Sequence, residues 1–231
     1  PNWDEPAMII EKAIEAQRLL VSGFKGDERC EQRLWQEARE PKHVAVSLSG
    51  EPALYPYLGE LFAECHRRGM TTFLVTNGTV PEALETLKTY PTQLYVTVAA
   101  PNAAIYKKSC RPKNENGWKQ VQRTLELLPS LKKKTRTVIR HTLVDGINLG
   151  FEAEYARLDE RAEPLFIESK AYMFVGSSRQ RLSLANMPSH EKIIDFSKKL
   201  AQEVGDLAVN QKKDSRVVLL AEEQRDTKIS F

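Results

Sequence analysis

The sequence predicts an α/β fold built on a parallel sheet, closed or partly closed. Two observations carry this. Apolar runs of strand length alternate along the chain with segments of helical period, the pattern that right-handed βαβ crossovers produce. Two of those runs, Val44-Ala-Val-Ser-Leu-Ser-Gly-Glu-Pro52 and Phe73-Leu-Val-Thr-Asn-Gly-Thr79, break off into small polar residues and glycine. In a parallel sheet, strand ends of that kind line a ligand site at the carboxyl edge.

The elements follow in order. Asp4-Glu5-Pro6 starts a helix with acid and proline in its first turn, an apolar stripe runs from Met8 to Leu20, and Gly23 and Gly26 end it. A polar helix lies around Glu31 to Glu40, and His43 to Leu48 has the length and branched composition of a buried strand. Leu54 to Arg68 is helical by period with Gly69 as its stop, and Thr71 to Thr76 is the next strand. Pro81 opens a helix to about Lys88, followed by a strand at Gln93 to Ala99, a helix at Trp118 to Leu128 and a strand at Arg136 to Leu143. Gly150 to Ala162 and Leu165 to Ser169 add a helix and a fifth strand. Pro188 with Ser189 and Glu191 starts a helix to about Val204, and Arg216 to Leu220 pairs with Lys228 to Phe231 as a terminal hairpin.

Residues 1–231, 41% of them hydrophobic, suffice for one substantial core, and no low-complexity linker or solenoid repeat divides them, so a single domain is expected. The 34 basic and 31 acidic residues leave a net charge of +3, so a polyanion would be met by local clusters rather than by the overall field. Cys30, Cys65 and Cys110 are far apart and form no metal-ligand pair. With no secretory segment and no apolar run of membrane length, a reducing cytoplasm is expected. The start at Pro1, without methionine and just ahead of a helix, suggests that a segment upstream is absent.

Several motifs in one order are recognisable: Ser47-Leu-Ser-Gly-Glu-Pro52 with Leu54-Tyr-Pro-Tyr-Leu58, Phe73-Leu-Val-Thr-Asn-Gly78, Pro91-Thr-Gln-Leu-Tyr-Val96, Lys170-Ala-Tyr-Met-Phe-Val-Gly176, and Asn186-Met-Pro-Ser-His-Glu191. Together with Trp3-Asp-Glu-Pro6 they resemble the archaeal tRNA 4-demethylwyosine synthases over essentially the whole chain. The resemblance implies a radical S-adenosylmethionine enzyme on an incomplete TIM-type (βα)6 barrel, its first strand and cluster segment lying upstream. It implies a reaction that condenses 1-methylguanosine of phenylalanine tRNA with two carbons of pyruvate to give 4-demethylwyosine. One or two [4Fe-4S] clusters are implied with it. A cluster needs closely spaced cysteine thiolates, which this sequence lacks and which the family carries ahead of the helix at Trp3.

The resemblance also assigns residues. Ser49, Gly50, Glu51 and Pro52 match the Gly-Gly-Glu-Pro motif whose backbone meets the methionyl ammonium, with Gly50 allowing close approach and Pro52 fixing the turn. Asn77 and Thr97 end the next two strands, where an amide and a hydroxyl suit the cofactor carboxylate or ribose. The family often reads Ser-Leu-Asp-Ala-Pro where this chain has Thr97-Val-Ala-Ala-Pro101, so Ala99 lacks an acceptor. Arg140 and Lys170 sit near the ends of later strands as cations for the cofactor carboxylate or for pyruvate, Lys170 also as a Schiff-base lysine. For each of the two, a structural ion pair is the default reading.

Lys107, Lys108, Arg111, Lys113, Arg179 and Arg181 follow strands on the loop face where substrate enters and are the candidates for tRNA phosphates. Lys132-Lys133-Lys134 precede a strand on the opposite face and read as solvated surface. Tyr172 and Phe174 either stack on an RNA base or pack under the rim, and none of the histidines has metal-like spacing. Expected partners are thus phenylalanine tRNA and pyruvate, with no membrane, for a monomer. Two rivals remain at this point: a barrel that binds tRNA without catalysis, and a radical enzyme with another substrate.

Overall fold

Proline at the first helical position sets the start of α1 (Pro6–Ser22), because its missing N–H would be unpaired there anyway. The computed structural model describes residues 2–48, 50–205, 207–223 and 225–229. α2 (Gln32–Ala38) is tied to α1 through Trp35, whose Nε1–H donates to the Val21 carbonyl at 2.8 Å.

Five strands, β1 (His43–Val46), β2 (Thr71–Thr76), β3 (Gln93–Thr97), β4 (Arg136–Leu143) and β5 (Phe166–Ala171), pair side by side in chain order, all parallel. Between them run α3 (Leu58–Arg67), α4 (Pro81–Glu85), α5 (Ala103–Cys110), α6 (Gly117–Leu131) and α7 (Glu152–Ala162). After β5 come α8 (His190–Val204) and the strands β6 (Ala208–Lys212) and β7 (Val217–Ala221), which complete a seven-stranded sheet in the order β1-β2-β3-β4-β5-β7-β6. This is the α/β architecture of a partial TIM-type barrel, five parallel strands continued by an antiparallel pair.

Alternation along each strand separates two faces. Leu74, Leu94, Val96, Ile139 and Ile167 face the helices and pack on Leu61 and Phe62 of α3, Leu125 and Leu128 of α6, and Phe196 of α8. Burying each such side chain contributes about 1.5–3 kcal/mol. The other face carries a smaller apolar cluster of Val138, Phe166 and Ala221 with Tyr95 and Leu219. Above it, register aligns Thr97 with Arg140, Arg140 with Glu168, and Thr142 with Lys170, so the polar side chains of β3, β4 and β5 share the inner face.

Four expectations need correcting. The run His43 to Leu48, expected as a buried strand, forms β1 only to Val46 and lies at the edge of the sheet with none of its residues buried. The terminal hairpin with residues 228–231 does not form among the described residues: both edges of β7 are taken, by β5 and by β6. The tail instead crosses the amino end of β4, where the Arg136 guanidinium donates to the carbonyls of Lys228 and Asp226 at 2.8 and 3.0 Å; residues 230 and 231 lie outside the described residues. The helix expected from Leu54 is split into a 3₁₀ turn (Pro52–Leu54) and α3 from Leu58, with Pro56 in the break where it cannot donate to a helix. The strand expected from Gln93 to Ala99 ends at Thr97, although the Val98 N–H still reaches the Arg140 carbonyl at 2.9 Å.

Candidate active site

The loop after β1 and the tip of β2 are joined by one carboxylate. Glu51 Oε1 accepts from the Ala53 N–H at 3.0 Å and the Thr76 hydroxyl at 2.6 Å, and Oε2 accepts from the Asn77 N–H at 2.8 Å. Gly50 and Asn77 therefore lie at the same end of the sheet. Gly50 has φ +86, a left-handed conformation that favours glycine, and no atom lies within 4 Å of where a Cβ would stand. Through these three contacts the Glu51 carboxylate holds the turn, and Gly50 is exposed. Ser49 lies outside the described residues.

Asn77 turns its Oδ1 to the N–H and hydroxyl of Thr79 at 2.9 and 2.6 Å, leaving its Nδ2 without a partner among the described residues. Gly78, at φ +72, is packed so closely that a Cβ would come within 3.2 Å of Val96, and its carbonyl accepts from the Thr124 hydroxyl at 2.7 Å. That contact locks the β2 tip onto α6.

The β3 tip is held from beneath. The imidazole of His141 contacts the Val98 carbonyl through Nδ1 at 3.1 Å and the Asp159 carboxylate through Nε2 at 3.0 Å, with both side chains fully buried. A carbonyl accepts only, so Nδ1 carries a hydrogen, and one further proton must lie between Nε2 and Asp159. Burial pushes the Asp159 carboxyl up, and His141 opposes that shift. Tyr155 packs its ring 4.4 Å from that of His141. Asn148 completes the support by donating Nδ2 to the carbonyls of Ala99 and Thr142, each at 2.9 Å. Ala99 thus contributes a held main chain where the family often has an acceptor. Neither His141, Asp159 nor Asn148 was singled out from sequence.

Beside this tip opens a cavity of about 430 Å³, walled by Asn77, Thr97 and Ala99 on one side and by Tyr106, Lys113 and Trp118 on the other. On the inner face of the sheet, Arg140 Nε donates to Glu168 Oε1 at 2.6 Å and its guanidinium lies 4.5 Å from the Tyr95 ring centroid. Arg140 is therefore ion-paired, with Nη1 and Nη2 unpaired among the described residues. Lys170, one layer further toward the carboxyl end beside Thr142, has no ion pair or hydrogen bond among them.

Lys107 and Lys108 are exposed on α5, a helix with no counterpart among the expected elements, and Arg111 caps it in a left-handed conformation. Lys113 follows at the rim of the cavity. Arg179 lies over the Phe174 ring at 5.3 Å, in the 3₁₀ turn Gly176–Gln180, and Arg181 comes directly after it. Tyr172 is buried, its hydroxyl donating to Ser178 at 2.8 Å, so it packs under the rim. None of the six candidate cations is ion-paired among the described residues. At the opposite end Lys132 pairs with Glu163 at 2.9 Å and Lys134 lies over Tyr90.

Residues 22–157 match the radical SAM superfamily and residues 161–222 match the wyosine base formation family. A Methanocaldococcus jannaschii protein named S-adenosyl-L-methionine-dependent tRNA 4-demethylwyosine synthase is 40% identical over 226 residues, 97% of this chain and 70% of that protein. The chain belongs to the tRNA 4-demethylwyosine synthase family. Its Pyrococcus abyssi relative is 47% identical over 228 residues, and the chain spans 66% of that protein's length. Two solved structures share the architecture. One, described as TYW1 with a lysine-pyruvate adduct bound, superposes with a TM-score of 0.86 at 39% identity, over 97% of this chain and 72% of the other. The other, an archaeal TYW1, gives 0.81 at 36%, over 97% and 73%.

Membership in this family implies S-adenosylmethionine and an iron–sulfur cluster. The described cysteines do not fit a cluster. Cys65 is buried in the core, its thiol pushed up to about 11 by burial, Cys30 lies between α1 and α2, and Cys110 ends α5. S-adenosylmethionine does fit the chemistry present: the exposed turn at Gly50, the Asn77 Nδ2 with no partner among the described residues, and the hydroxyl of Thr97 lie at one end of the sheet.

Proposed function

We propose that residues 1–231 form the barrel domain of a radical S-adenosylmethionine enzyme that condenses 1-methylguanosine of phenylalanine tRNA with two carbons of pyruvate to form 4-demethylwyosine, a lyase-type reaction. The observation that carries this reading is the Glu51 strut, which holds the 50–52 turn and Asn77 against one another so that two strand tips serve one ligand. When bound, S-adenosylmethionine supplies hydrogen-atom abstraction from the base methyl group.

The chain's own residues bind and orient. The turn at residues 50–52 would receive the methionyl ammonium on backbone carbonyls, while the Asn77 amide and the Thr97 hydroxyl would donate to carboxylate or ribose oxygens. Arg140 offers its two free Nη groups to a carboxylate, with Glu168 fixing the plane of the guanidinium. Lys170 faces pyruvate, either pairing with its carboxylate or condensing with its carbonyl to an imine and water; the lysine-pyruvate adduct of the solved relative supports a lysine in that role. Lys107, Lys108, Arg111, Lys113, Arg179 and Arg181 take tRNA phosphates. The enzyme acts as a monomer in the cytoplasm, and no described helix is long and apolar enough to cross a membrane.

The test uses the full-length protein, reconstituted anaerobically with iron and sulfide and given S-adenosylmethionine, pyruvate and phenylalanine tRNA carrying 1-methylguanosine. Mass spectrometry of the digested tRNA is expected to show the tricyclic base only when pyruvate is present. Cofactor cleavage with no change in the tRNA would overturn the substrate assignment.

A further inference from the structure

The cavity beside the β3 tip has features that cofactor binding does not use. At about 430 Å³ it falls in the range of roughly 300–1,000 Å³ typical of small-molecule sites. Its far wall is aromatic, Tyr106 and Trp118 meeting at 5.4 Å between ring centroids. Asn114 on the rim turns its Oδ1 to the Asn116 N–H at 2.9 Å, as Asn77 turns its own to Thr79. Because backbone N–H groups fix both oxygens, each amide presents only its NH₂ to a ligand. The site therefore offers donors and an aromatic face, with the exposed Lys113 in its lining and Lys107, Lys108 and Arg111 exposed on and just after α5, the helix that contributes Tyr106 and Cys110 to it.

We infer that this cavity receives the target guanine base of the tRNA, turned out of the anticodon loop to stack on Trp118 and to accept from the Asn114 NH₂, with Lys113 on a flanking phosphate. This rests on the tRNA reading above. An enzyme that does chemistry on a base takes it out of the stack, and single-stranded RNA bases are held on aromatic side chains. Guanine turns only acceptors, O6 and N7, toward the Asn114 NH₂, whereas adenine sets its own N6 donor against it. The basic approach also suits a polyanion better than a sulfonium cofactor. The shared chemistry is a purine, and its two sources are the RNA and the adenosine of S-adenosylmethionine.

The experiment takes the reconstituted full-length protein with phenylalanine tRNA carrying 6-thioguanosine at the target position. After irradiation and tryptic digestion, the crosslink is expected in the peptide spanning residues 114–119. A 2-azidoadenosine analogue of the cofactor labelling that peptide, while thioguanosine labels another, would reassign the cavity to the cofactor. In parallel, Trp118→Ala is expected to weaken tRNA binding about tenfold, the size of one base–aromatic stack, and Trp118→Phe by less than about threefold. Binding of S-adenosylhomocysteine stays unchanged in both. Should Trp118→Ala fail to fold, the crosslink on unaltered protein decides. A protein that binds tRNA but crosslinks elsewhere refutes the base site alone; one that binds no tRNA refutes the function above as well.

Discussion

Glu51 Oε2 accepts the N–H of Asn77 at 2.8 Å, linking the loop after one strand to the tip of its neighbour. The carboxylate also takes the Ala53 N–H and the Thr76 hydroxyl, so three donors depend on it.

Replacing Glu51 by Gln puts an NH₂ where a second acceptor is needed and leaves at least one donor unpaired. The expected cost is about 1–3 kcal/mol, read from urea unfolding. Affinity for S-adenosylhomocysteine is expected to fall much further than affinity for tRNA. Equal losses in both would contradict the placement of the cofactor at this turn.

Arg140 and Glu168 pair at 2.6 Å with side-chain exposures of 23% and 12%. Arg140→Met strands the Glu168 carboxylate on the inner face, and a loss of about 1–3 kcal/mol is expected. The double variant Arg140→Met with Glu168→Met regains part of it. Strict additivity in the double-mutant cycle would show that the pair is not coupled.

The Lys170 side chain has no partner to lose among the described residues. Lys170→Met is expected to change stability by less than about 0.5 kcal/mol. Product formation at limiting pyruvate, followed by mass spectrometry, is expected to drop at least about tenfold, the size of one lost charged contact. Unchanged turnover would remove Lys170 from the pyruvate site.

Burial holds the Asp159 carboxyl above its ordinary value. A group raised in the folded state contributes its stability below its unfolded pKa, about 3.9 for aspartate, and that contribution is lost as pH climbs through the folded value. The stability of the wild type relative to Asp159→Asn is therefore expected to decline as pH rises above about 4, measured by urea midpoints. A difference that does not vary with pH would show that Asp159 does not titrate in this range.

The strands were legible because each is an apolar run bounded by turn residues: Thr71–Thr76 and Arg136–Leu143 have the bounds that the sequence predicts. β6 carried no such signal, since Ala208-Val-Asn-Gln-Lys212 is exposed throughout and is a strand only because β7 offers it an edge. α5 was missed although Asn102 caps it by accepting from the Ile105 N–H at 3.0 Å; eight residues after a proline give little period to read. Local motifs brought Gly50, Glu51 and Asn77 to notice. They could not bring together His141 and Asp159, whose relation exists only once a helix has packed on a strand, and they could not show that Arg140 already has a partner.

The imidazole of His141 joins α7, through Asp159, to the carbonyl of Val98 at the edge of the binding cavity. A disturbance on the outer layer of the barrel can therefore shift the ligand wall without any residue there touching a ligand. Labels, tags or surface mutations meant to be silent are better placed away from α7 than on it, and an inactive variant altered only on that helix is evidence of leverage rather than of a second site.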